Sequence, residues 1–458
     1  MPPTPPSVTG RVAEPPPRAP AAAPPARRPG RTAGGRALVA AAATLTVAVL
    51  AYAANLLTHP RAGILSWLDL RFYLAAGQVA RHTPALLYRW QYPPGMRFTY
   101  PPFAALLFSG LAAVPWDVLA WAMTAASAAA LGVTVWLTFG GLGWAGRRRA
   151  VAVLAVTAAA FWTEPVQRAL HWGQVDLLLM ALVVWDLCQP GHRRWQGAGI
   201  GLAAAVKLVP LIFIPYLLLT RRPRQAAVAL GTFVALAGVG FLVLPAASAQ
   251  WWFGGLWLHV GRVGFAGSVA NQSPLGYLIR GTGSTAAATP WWLAIAGLVG
   301  VTGMEAAVRW HCRGRPVHGW LTCALTGLLI SPVSWDHHWV WFAPALVVLV
   351  DGALGDPGRA AWARWACGAA AAGLAVVAGA WPAGWPPPAR QPWGLIWTAP
   401  YTPGVAGPHP EYRWHGAALV AGNLYLLAGL GLLAGLTALA FRAPPPRRLR
   451  HPSPSEAR

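Results

Sequence analysis

Asp69 is the first residue of the chain whose surroundings suggest chemistry. It lies in the segment 66–73 (SWLDLRFY), so a carboxylic acid stands among large aromatic side chains. The stretch 70–81 is compatible with a helix, and an acid just before it can cap the helix N-terminus. A carboxylate held beside an incoming hydroxyl can also act as a general base. The two roles are compatible, because a cap would fix the position of the carboxylate.

Lys207 is the only lysine of the chain, and the other strong cations are all arginines. It lies in the apolar run 203–210, where an ammonium group is costly to bury. An ionisable group within a membrane segment indicates a functional site, here a positive charge that pairs with a phosphate. The alternative is a side chain that simply reaches back to the membrane interface.

Two adjacent histidines, His337 and His338, follow Ser-Pro-Val-Ser-Trp-Asp at the outer end of a predicted span. An imidazole there can donate a hydrogen bond to a phosphate oxygen or relay a proton. Neighbouring side chains of an α-helix point about 100° apart, so we expect at most one ring to face a site. The histidines have no further ligand group at an interpretable spacing, and the four cysteines show no metal pattern. We therefore predict no bound metal.

These residues must be positioned by a chain whose composition suits lipid. Of its 458 residues, 56% are hydrophobic and 10% are charged, against about 25% charged residues in an average soluble protein. A net charge of +23 would suggest nucleic acid in a soluble protein. Here the arginines lie between long apolar runs, where they set topology and contact anionic lipid headgroups. We predict an all-α polytopic membrane protein that binds anionic lipids and no nucleic acid.

The apolar runs predict about ten full spans across roughly 30 Å of hydrocarbon. The basic clusters between them place both termini in the cytoplasm of a plasma-membrane protein. A transmembrane domain at 36–441 is predicted between two disordered, basic, Pro-rich tails at 1–35 and 442–458. The predicted spans are 37–57, 117–139, 150–163, 174–189, 224–245, 290–309, 317–332, 337–353, 360–380 and 416–441.

Two other apolar runs cannot be single spans if every basic cluster lies inside. The run 101–114 is predicted to lie on the outer face as an interfacial helix. The run 197–220 lies between two basic clusters and must enter and return, with a turn at Lys207 and Pro210. This threading brings Asp69, Lys207 and the two histidines toward one outward-facing cavity.

Taken together, these segments resemble glycosyltransferase family 87, the polyprenol-phosphate-mannose-dependent α-(1→2)-mannosyltransferase-like proteins of the GT-C superfamily. The resemblance covers about residues 60–345 and implies a GT-C-like fold. It also implies that Asp69, the matching acid of the first outer loop, is the catalytic base. One departure is Asp176, where the family often has Asn. The matching segments are 69–73 (DLRFY), 100–106 (YPPFAAL), 173–176 (GQVD), 207–210 (KLVP), 271–273 (NQS) and 331–338 (SPVSWDHH).

The resemblance further implies a membrane glycosyltransferase that uses a polyprenyl-phosphate sugar at the outer face, with a glycolipid or glycan as acceptor. Mannose as the sugar comes from the resemblance alone. Lys207 would bind the donor phosphate, with Arg280, His337 and His338 as partners, while Asp69 accepts the acceptor proton and the anomeric carbon inverts. Side chains neutralise a monophosphate leaving group, so we expect no metal and no cofactor. Acceptor or sugar binding is assigned to Tyr73, Gln174, Asp176 and Asn271.

A membrane transporter of a small solute or lipid-linked sugar is the main alternative, and a non-catalytic lipid-binding protein is a third. A transporter predicts repeated halves and ionisable groups at the bilayer midplane. The sequence shows no internal repeat, and its polar candidates lie toward the outer ends of the predicted helices. The sequence therefore favours the enzyme.

Overall fold

Helices form nearly all of the regular structure. The computed structural model describes residues 31–58, 66–93, 95–189, 193–380, 394–401 and 409–442. The sheet in these residues is one antiparallel pair, β1 (Gln91–Tyr92) and β2 (Met96–Arg97). The α-helices are α1 (Arg31–Thr58), α2 (Leu68–His82), α3 (Pro102–Leu111), α4 (Trp116–Gly141), α5 (Gly146–Phe161), α6 (Glu164–Trp172), α7 (Asp176–Leu187), α8 (Ala198–Val206), α9 (Phe213–Leu219), α10 (Pro223–Val243), α11 (Pro245–Trp252), α12 (Pro274–Thr282), α13 (Thr285–Cys312), α14 (Pro316–Ile330), α15 (Phe342–Leu354), α16 (Ala361–Val377), α17 (Gly416–Ala421) and α18 (Leu424–Arg442).

Several helices have the length and composition of membrane spans. In the described part of the chain, five qualify: α4, α10, α13, α18, and α15 together with the 3-10 helix Asp336–Trp341 that precedes it. The pair α6 and α7 qualifies only if it is counted as one span bent by 115°. Shorter apolar helices, α14 and α16 among them, coincide with other predicted spans. The prediction of an all-α membrane protein is confirmed, and the number of ten spans stays a prediction.

The two tails are described only at their inner ends. The helix α1 begins at Arg31 and so includes the last five residues, 31–35, of the predicted N-terminal tail. The last proline of that tail is Pro29, so a helix can extend backward from the apolar run as far as Arg31 without losing a backbone donor. The helix α18 ends at Arg442, where the C-terminal tail was predicted to begin. Residues 1–30 and 443–458 lie outside the described residues.

The chain reverses its direction within the run 197–220. The helix α8 ends where Lys207 takes an extended backbone, and the 3-10 helix Val209–Ile212 contains Pro210, which cannot donate a backbone hydrogen bond. Gly197 lies directly against the backbone of Gln225 in α10. The chain that starts at Gly197 has therefore returned to the same end of the fold when it reaches Gln225. The turn has the predicted position, while its depth in the membrane stays a prediction.

The run 101–114 forms the ten-residue helix α3, which packs along α2. The two backbones approach closely, because a Cβ atom at Gly77 of α2 would lie 2.5 Å from the backbone nitrogen of Ser109. The side chain of Phe108 is buried in this contact, whereas Leu107 is exposed. An apolar helix with one buried and one exposed side is compatible with the predicted interfacial position.

Two hydrophobic cores meet at the start of α7. The larger core includes α4, α7, α14 and α15 and contains Trp320 and Trp339. The smaller core packs aromatic rings of α2 against the segment 87–98 and against Trp251 of α11. Val175 belongs to the smaller core and Leu177 to the larger one. Residues at the start of α7 are therefore held from both sides.

Gly173 forms the bend between α6 and α7. Its φ is +67°, a conformation that glycine adopts without steric cost. A Cβ atom at this position would lie 2.8 Å from the Cβ of Leu70 in α2. The close approach places α2, with Asp69 in its first turn, against the residues Gln174 and Asp176 that follow the bend.

Replacing Gly173 with alanine is expected to destabilise the protein in two ways. The positive φ costs about 1–2 kcal/mol for a residue with a Cβ, and the collision with Leu70 adds roughly 1–3 kcal/mol. The matched control is Gly283→Ala, because Gly283 ends α12 with the same φ of +67° but has no neighbour within 4 Å of a Cβ. Thermal unfolding in detergent should show the larger loss for Gly173→Ala, and equal losses would contradict the close approach of α2.

Candidate active site

Four interruptions of the helical structure bring polar side chains together. Asp69 lies in the first turn of α2, and Asp176 opens α7 after the bend. Lys207 follows the last residue of α8, and His337 and His338 lie in the 3-10 helix Asp336–Trp341. Helix ends leave groups outside the regular hydrogen-bond ladder. The interior of an apolar protein can therefore hold a polar site at these points.

Asp69 is held in place by an amide. The Nε2 atom of Gln174 donates to Asp69 Oδ2 at 2.5 Å, and Gln174 Oε1 accepts from the Tyr73 hydroxyl, also at 2.5 Å. The Tyr73 hydroxyl lies 2.7 Å from the hydroxyl of Tyr100. Asp69 and Tyr73 are four residues apart and share one face of α2. The carboxylate therefore has a fixed direction and is only 7% exposed.

The structure does not give Asp69 the capping role that was one of its two predicted roles. Trp67 occupies the N-cap position of α2, with no side-chain cap hydrogen bond, and Asp69 is the second residue of the helix. The helix begins at Leu68, two residues earlier than the predicted start at 70. The Asp69 side chain is therefore free to turn toward Gln174 instead of the helix terminus.

Burial changes the acidity of Asp69. Removal from water raises its pKa from 3.8 to about 6, and the nearby His337 and Lys207 charges and the Gln174 hydrogen bond lower it only in part. The carboxylate form thus dominates above about pH 6. A base with a pKa near the working pH combines a populated carboxylate with a useful affinity for the proton.

Lys207 forms a buried ion pair with Asp176. Its Nζ atom lies 2.7 Å from Asp176 Oδ1, and the two side chains are 14% and 11% exposed. The same Nζ lies 2.9 Å from Nε2 of His338. An ammonium group has donors only, so this His338 nitrogen must accept. His338 therefore accepts as a neutral imidazole on this side.

His337 contacts the same cluster from another direction. Its Nε2 atom lies 3.9 Å from Asp176 Oδ2, while its Nδ1 lies 3.0 Å from Asp336 Oδ1. The expectation that at most one ring faces the site stays a prediction, because both rings contact the cluster of Asp176 and Lys207 but of the two only His338 lines the cavity beside it. The two rings lie 88° apart, but the two oxygens of Asp176 contact His337 on one side and Lys207, the neighbour of His338, on the other.

The cluster also has the composition of a metal site. Ligand atoms of Asp176, His337 and His338 lie within 4.8 Å of one another. The sequence analysis missed this grouping because Asp176 is far from the histidines along the chain. The Lys207 ammonium contacts two of these three side chains and already pairs with the one carboxylate among them, Asp176. The absence of a metal requirement stays a prediction.

A cavity opens beside the ion pair. Its polar end is formed by Asp176, Lys207 and His338, with Ser331 and Ser334 nearby. The remainder is apolar, with side chains such as those of Phe213 and Trp341. An apolar cavity that ends in one basic side chain fits an amphiphile with a hydrocarbon chain and a small anionic group.

Unlike Lys207, Arg280 and Asn271 form hydrogen bonds mainly with backbone groups. The Arg280 guanidinium donates to the carbonyls of Ser268 and Asn271 and to Asn423 Oδ1, at 2.8, 3.1 and 2.5 Å. The Asn271 amide donates to two backbone carbonyls, and its Oδ1 accepts from the Ser334 backbone. Both residues are at most 2% exposed. These contacts join the segment before α12 to the segment that carries the histidines.

Other residues of the network had no assigned role in the sequence analysis. Tyr100 was only the first residue of the matching segment 100–106, and the structure adds its hydroxyl to the Asp69 network. Asp336 accepts from Arg168 Nε at 2.9 Å, and Arg168 also pairs with Glu164 at 3.4 Å. An acid directly before two histidines was visible in the sequence, but its partner on α6 was not.

Comparison with known proteins now decides the family. The family model described as glycosyltransferase family 87 matches residues 98–332 of this chain. The chain belongs to glycosyltransferase family 87. It is therefore a glycosyltransferase of a membrane-protein family. Gln174, Asp176 and Lys207 lie within the matched range, whereas Asp69 and the two histidines lie outside it.

Named relatives come from mycobacteria. A polyprenol-phosphate-mannose-dependent alpha-(1-2)-phosphatidylinositol pentamannoside mannosyltransferase of Mycobacterium tuberculosis is 34% identical over 63% of this chain and 67% of its own length. A phosphatidylinositol mannoside mannosyltransferase of the same species, with the same donor in its name, is 36% identical over 64% and 69%. A pentamannoside enzyme of Mycolicibacterium smegmatis is 36% identical over 63% and 70%. No solved structure matches the chain.

Replacing Gln174 with alanine is expected to move the acid limb of the pH–activity profile to higher pH. The Gln174 hydrogen bond lowers the pKa of Asp69, so its loss raises that pKa above about 6 and protonates the carboxylate at pH values where the wild-type carboxylate is ionised. The profile of kcat/KM against pH measures the shift. Gln78→Ala, an exposed glutamine on α2, is the control. A shift to lower pH, or none, would show that Asp69 does not control this limb.

Proposed function

We propose that the chain transfers mannose from a polyprenyl-phosphate-mannose donor to a glycolipid acceptor at the outer face of the plasma membrane. Transfer inverts the anomeric carbon and uses no metal ion or other cofactor. The observation that carries this proposal is a fixed, buried carboxylate, Asp69, together with an apolar cavity whose polar end contains Lys207. Burial raises the pKa of Asp69, and the nearby charges of His337 and Lys207 lower it in part. Family membership makes a transporter the weaker alternative.

The donor is proposed to bind along the apolar cavity. The names of the mycobacterial relatives specify polyprenol-phosphate-mannose as their donor. A polyprenyl chain suits the apolar lining that includes Phe213 and Trp341, and its phosphate would lie at Lys207. The phosphate would then compete with the Asp176 carboxylate for the Lys207 ammonium. His337 and His338, which contact the same cluster, complete the proposed phosphate site.

Asp69 is the proposed general base. The acceptor hydroxyl loses its proton to Asp69 while its oxygen forms a bond to the anomeric carbon. The bond from that carbon to the phosphate oxygen breaks, and the electron pair remains on the polyprenyl phosphate. Lys207 and His337 stabilise the negative charge that develops there. Gln174 and Tyr73, which orient Asp69, keep their proposed place beside the sugar or acceptor.

Inversion and independence from metal rest on the charged groups of this site. Asp69 is the proposed single base, and the second carboxylate of the site, Asp176, is paired with Lys207 and is not assigned as a nucleophile, so one displacement is proposed by analogy with inverting glycosidases. The leaving group is a monophosphate ester, whose added charge two cationic side chains can balance. The substrate-binding roles of Arg280 and Asn271 stay predictions: the Arg280 terminal amino groups donate to backbone carbonyls and to Asn423, and the Asn271 amide donates to backbone carbonyls.

The acceptor class is proposed from the relatives' names and the location from the basic clusters. The relatives' names specify phosphatidylinositol mannosides, so we propose a mannosylated glycolipid as the acceptor class. The basic clusters between the spans support cytoplasmic termini and contacts with anionic lipids. With that sidedness, the ends of α7 and α8 that carry the site face the outer leaflet.

Asp69→Asn is expected to reduce transfer by about 10³-fold, because general base catalysis of this kind contributes roughly 10²–10⁴-fold. Binding of polyprenyl phosphate should change little, since Asn keeps a group that bonds to Gln174. Transfer of radiolabelled mannose in membranes measures the effect. Asp117→Asn, an exposed acid in the first turn of α4, is the matched control. Near-normal turnover of Asp69→Asn would remove Asp69 from the catalytic role.

Lys207→Ala is expected to weaken the binding of polyprenyl phosphate by roughly 10- to 100-fold, the loss of one charge-assisted contact. Lys207→Arg should recover part of this affinity, because the positive charge returns with a different shape. Titration of purified protein with polyprenyl phosphate gives the dissociation constants. Arg309→Ala removes a half-exposed cation of α13 and serves as the control. An unchanged affinity in Lys207→Ala would place the phosphate elsewhere.

A further inference from the structure

Arg97 and Arg262 form a pair of like charges that the proposed mechanism does not use. Arg97 is the last residue of β2, and Arg262 ends the 3-10 helix Val260–Arg262. The Nη2 atom of Arg262 donates to the carbonyl of Phe98, the residue after Arg97, at 3.4 Å. Burial and the charge of Arg97 lower the pKa of Arg262. The two guanidinium groups, here called the arginine pair, are therefore close enough to repel each other.

The segments around the arginine pair contain no acid to balance it. The sequence has no Asp or Glu at 70–116 or at 187–304, and the two arginines lie within these ranges. Among the described residues, neither arginine forms an ion pair. Like charges without a counter-charge destabilise the folded chain, and a bound anion removes that cost. The arginine pair is therefore a candidate site for an anion.

Both side chains of the pair are fixed by neutral groups and keep donors for a ligand. Arg262 Nη2 donates to the carbonyl of Tyr88 at 2.7 Å, while its buried Nε has no hydrogen-bond partner among the described residues. With its oxygen turned toward Arg97, the Gln91 amide accepts from Nε and Nη2 at 3.2 and 3.0 Å. A guanidinium carries five N–H donors, and its fork matches two oxygens of a phosphate.

The surroundings of the arginine pair are those of a membrane interface. The predicted sidedness places both arginines in outer segments, between predicted spans. Trp257 and Leu258, shortly before Arg262 in the chain, are 48% and 64% exposed. Exposed tryptophan and leucine side chains beside an arginine are typical of the level at which lipid headgroups lie. The anion that fits this position is therefore the phosphodiester of a lipid.

The loop 87–100 connects the arginine pair to the active site. Arg262 binds the carbonyl of Tyr88, and the Tyr88 hydroxyl donates to the carbonyl of Tyr100 at 2.9 Å. The Tyr100 hydroxyl belongs to the hydrogen-bond network that orients Asp69. One loop thus holds the arginine pair at one end and a member of the catalytic network at the other.

Aromatic rings of the same loop pack against the helix that carries Asp69. Phe72, three residues after Asp69 on α2, is stacked on Trp90 with ring centroids 6.1 Å apart and 7° between the planes. Tyr92 meets Phe72 edge-on at 5.8 Å. Trp90 and Tyr92 are half-buried, so each ring keeps an exposed part. Rings with an apolar body and a polar edge can contact the apolar side of a sugar.

We propose that Arg97 and Arg262 bind the phosphodiester of an anionic glycolipid acceptor, while its glycan extends along the half-buried rings toward Asp69. The inference rests on the proposed function and deepens it, because it specifies the charge of the acceptor and where its headgroup lies. The donor phosphate has its proposed place at Lys207, so the two substrates use different cations. The arginine pair determines affinity for the acceptor and takes no part in bond breaking.

The first test compares two acceptors in the variant Arg97→Gln. A phosphatidylinositol mannoside carries the phosphodiester, whereas octyl α-mannoside offers a mannose without a charge. The KM for the phosphatidylinositol mannoside should rise about 10-fold, the loss of one charge-assisted contact, with kcat unchanged. The KM for octyl α-mannoside should stay the same. Equal changes for both acceptors, or no change for either, overturn the proposal.

Arg81→Gln is the matched control, because Arg81 is an exposed arginine in the last turn of α2 and the substitution removes the same charge. Its KM for both acceptors should match that of the wild type. A rise as large as that of Arg97→Gln would assign the effect to overall surface charge and overturn the proposal. Folded Arg262→Gln should raise the KM for the phosphatidylinositol mannoside at least as much as Arg97→Gln. If Arg262→Gln does not fold, the exposed Arg97 carries the test.

Bulk phospholipid is a second source of the same phosphodiester. The comparison of wild type with Arg97→Gln is therefore made in nanodiscs of phosphatidylcholine and in nanodiscs that also contain phosphatidylglycerol. The proposal expects the difference in KM in both. A wild-type KM that rises to the value of the variant once phosphatidylglycerol is present would assign the arginine pair to bulk anionic lipid, and would overturn the proposal.

Binding without turnover separates this inference from the proposed function. Titration with the phosphatidylinositol mannoside, in the absence of donor, should give a dissociation constant about 10-fold higher for Arg97→Gln than for wild type. Polyprenyl phosphate should bind both proteins equally. Wild-type protein that shows this difference but transfers no mannose would contradict the proposed function only. Mannose transfer with equal acceptor affinities in the two proteins would contradict the role of the arginine pair only.

Discussion

The ion pair between Lys207 and Asp176 is the interaction on which the site depends. An ammonium in an apolar run is costly to bury, and a carboxylate at 2.7 Å compensates much of that cost. The pair joins the interruption after α8 to the start of α7. Asp176 also faces His337. The same carboxylate therefore connects the run 197–220, which contains Lys207, to the segment that carries the histidines. Removal of either partner would leave a buried charge unpaired.

Sequence patterns predicted the functional residues at the helix ends better than they predicted the contacts between those residues. Lys207 stood out because it is the only lysine, and Asp69 because an acid in an aromatic segment is unusual. The pairing of Lys207 with Asp176 spans 31 residues, and no periodicity predicts it. Arg280 shows the opposite problem: a cation near an outer segment suggested phosphate binding, yet its two terminal amino groups donate to backbone carbonyls and to Asn423. Only three-dimensional packing distinguishes such a cation from Lys207.

The fold was predictable in class and less so in detail. Apolar composition and sorted arginines predicted an all-α membrane protein, and the chain reversal at Lys207 followed from the basic clusters on either side of it. The bend of 115° at Gly173 was not predicted, because Gly-Gln-Val-Asp appeared to be the start of one straight span. The position of a short helix such as α7 depends more on packing against neighbouring helices than on the hydropathy of its own sequence. A count of spans from sequence is therefore less certain than their location.

A cryo-EM structure of the wild-type chain with polyprenyl-phosphate-mannose, without acceptor, tests the central claim most directly. The account predicts the phosphate within about 2.7–3.2 Å of Lys207 Nζ, with Asp176 displaced from part of its present contact. The polyprenyl chain should lie along Phe213, and the sugar should lie between the phosphate and Asp69. A phosphate bound away from Lys207, or a sugar whose anomeric carbon faces away from Asp69, would contradict it.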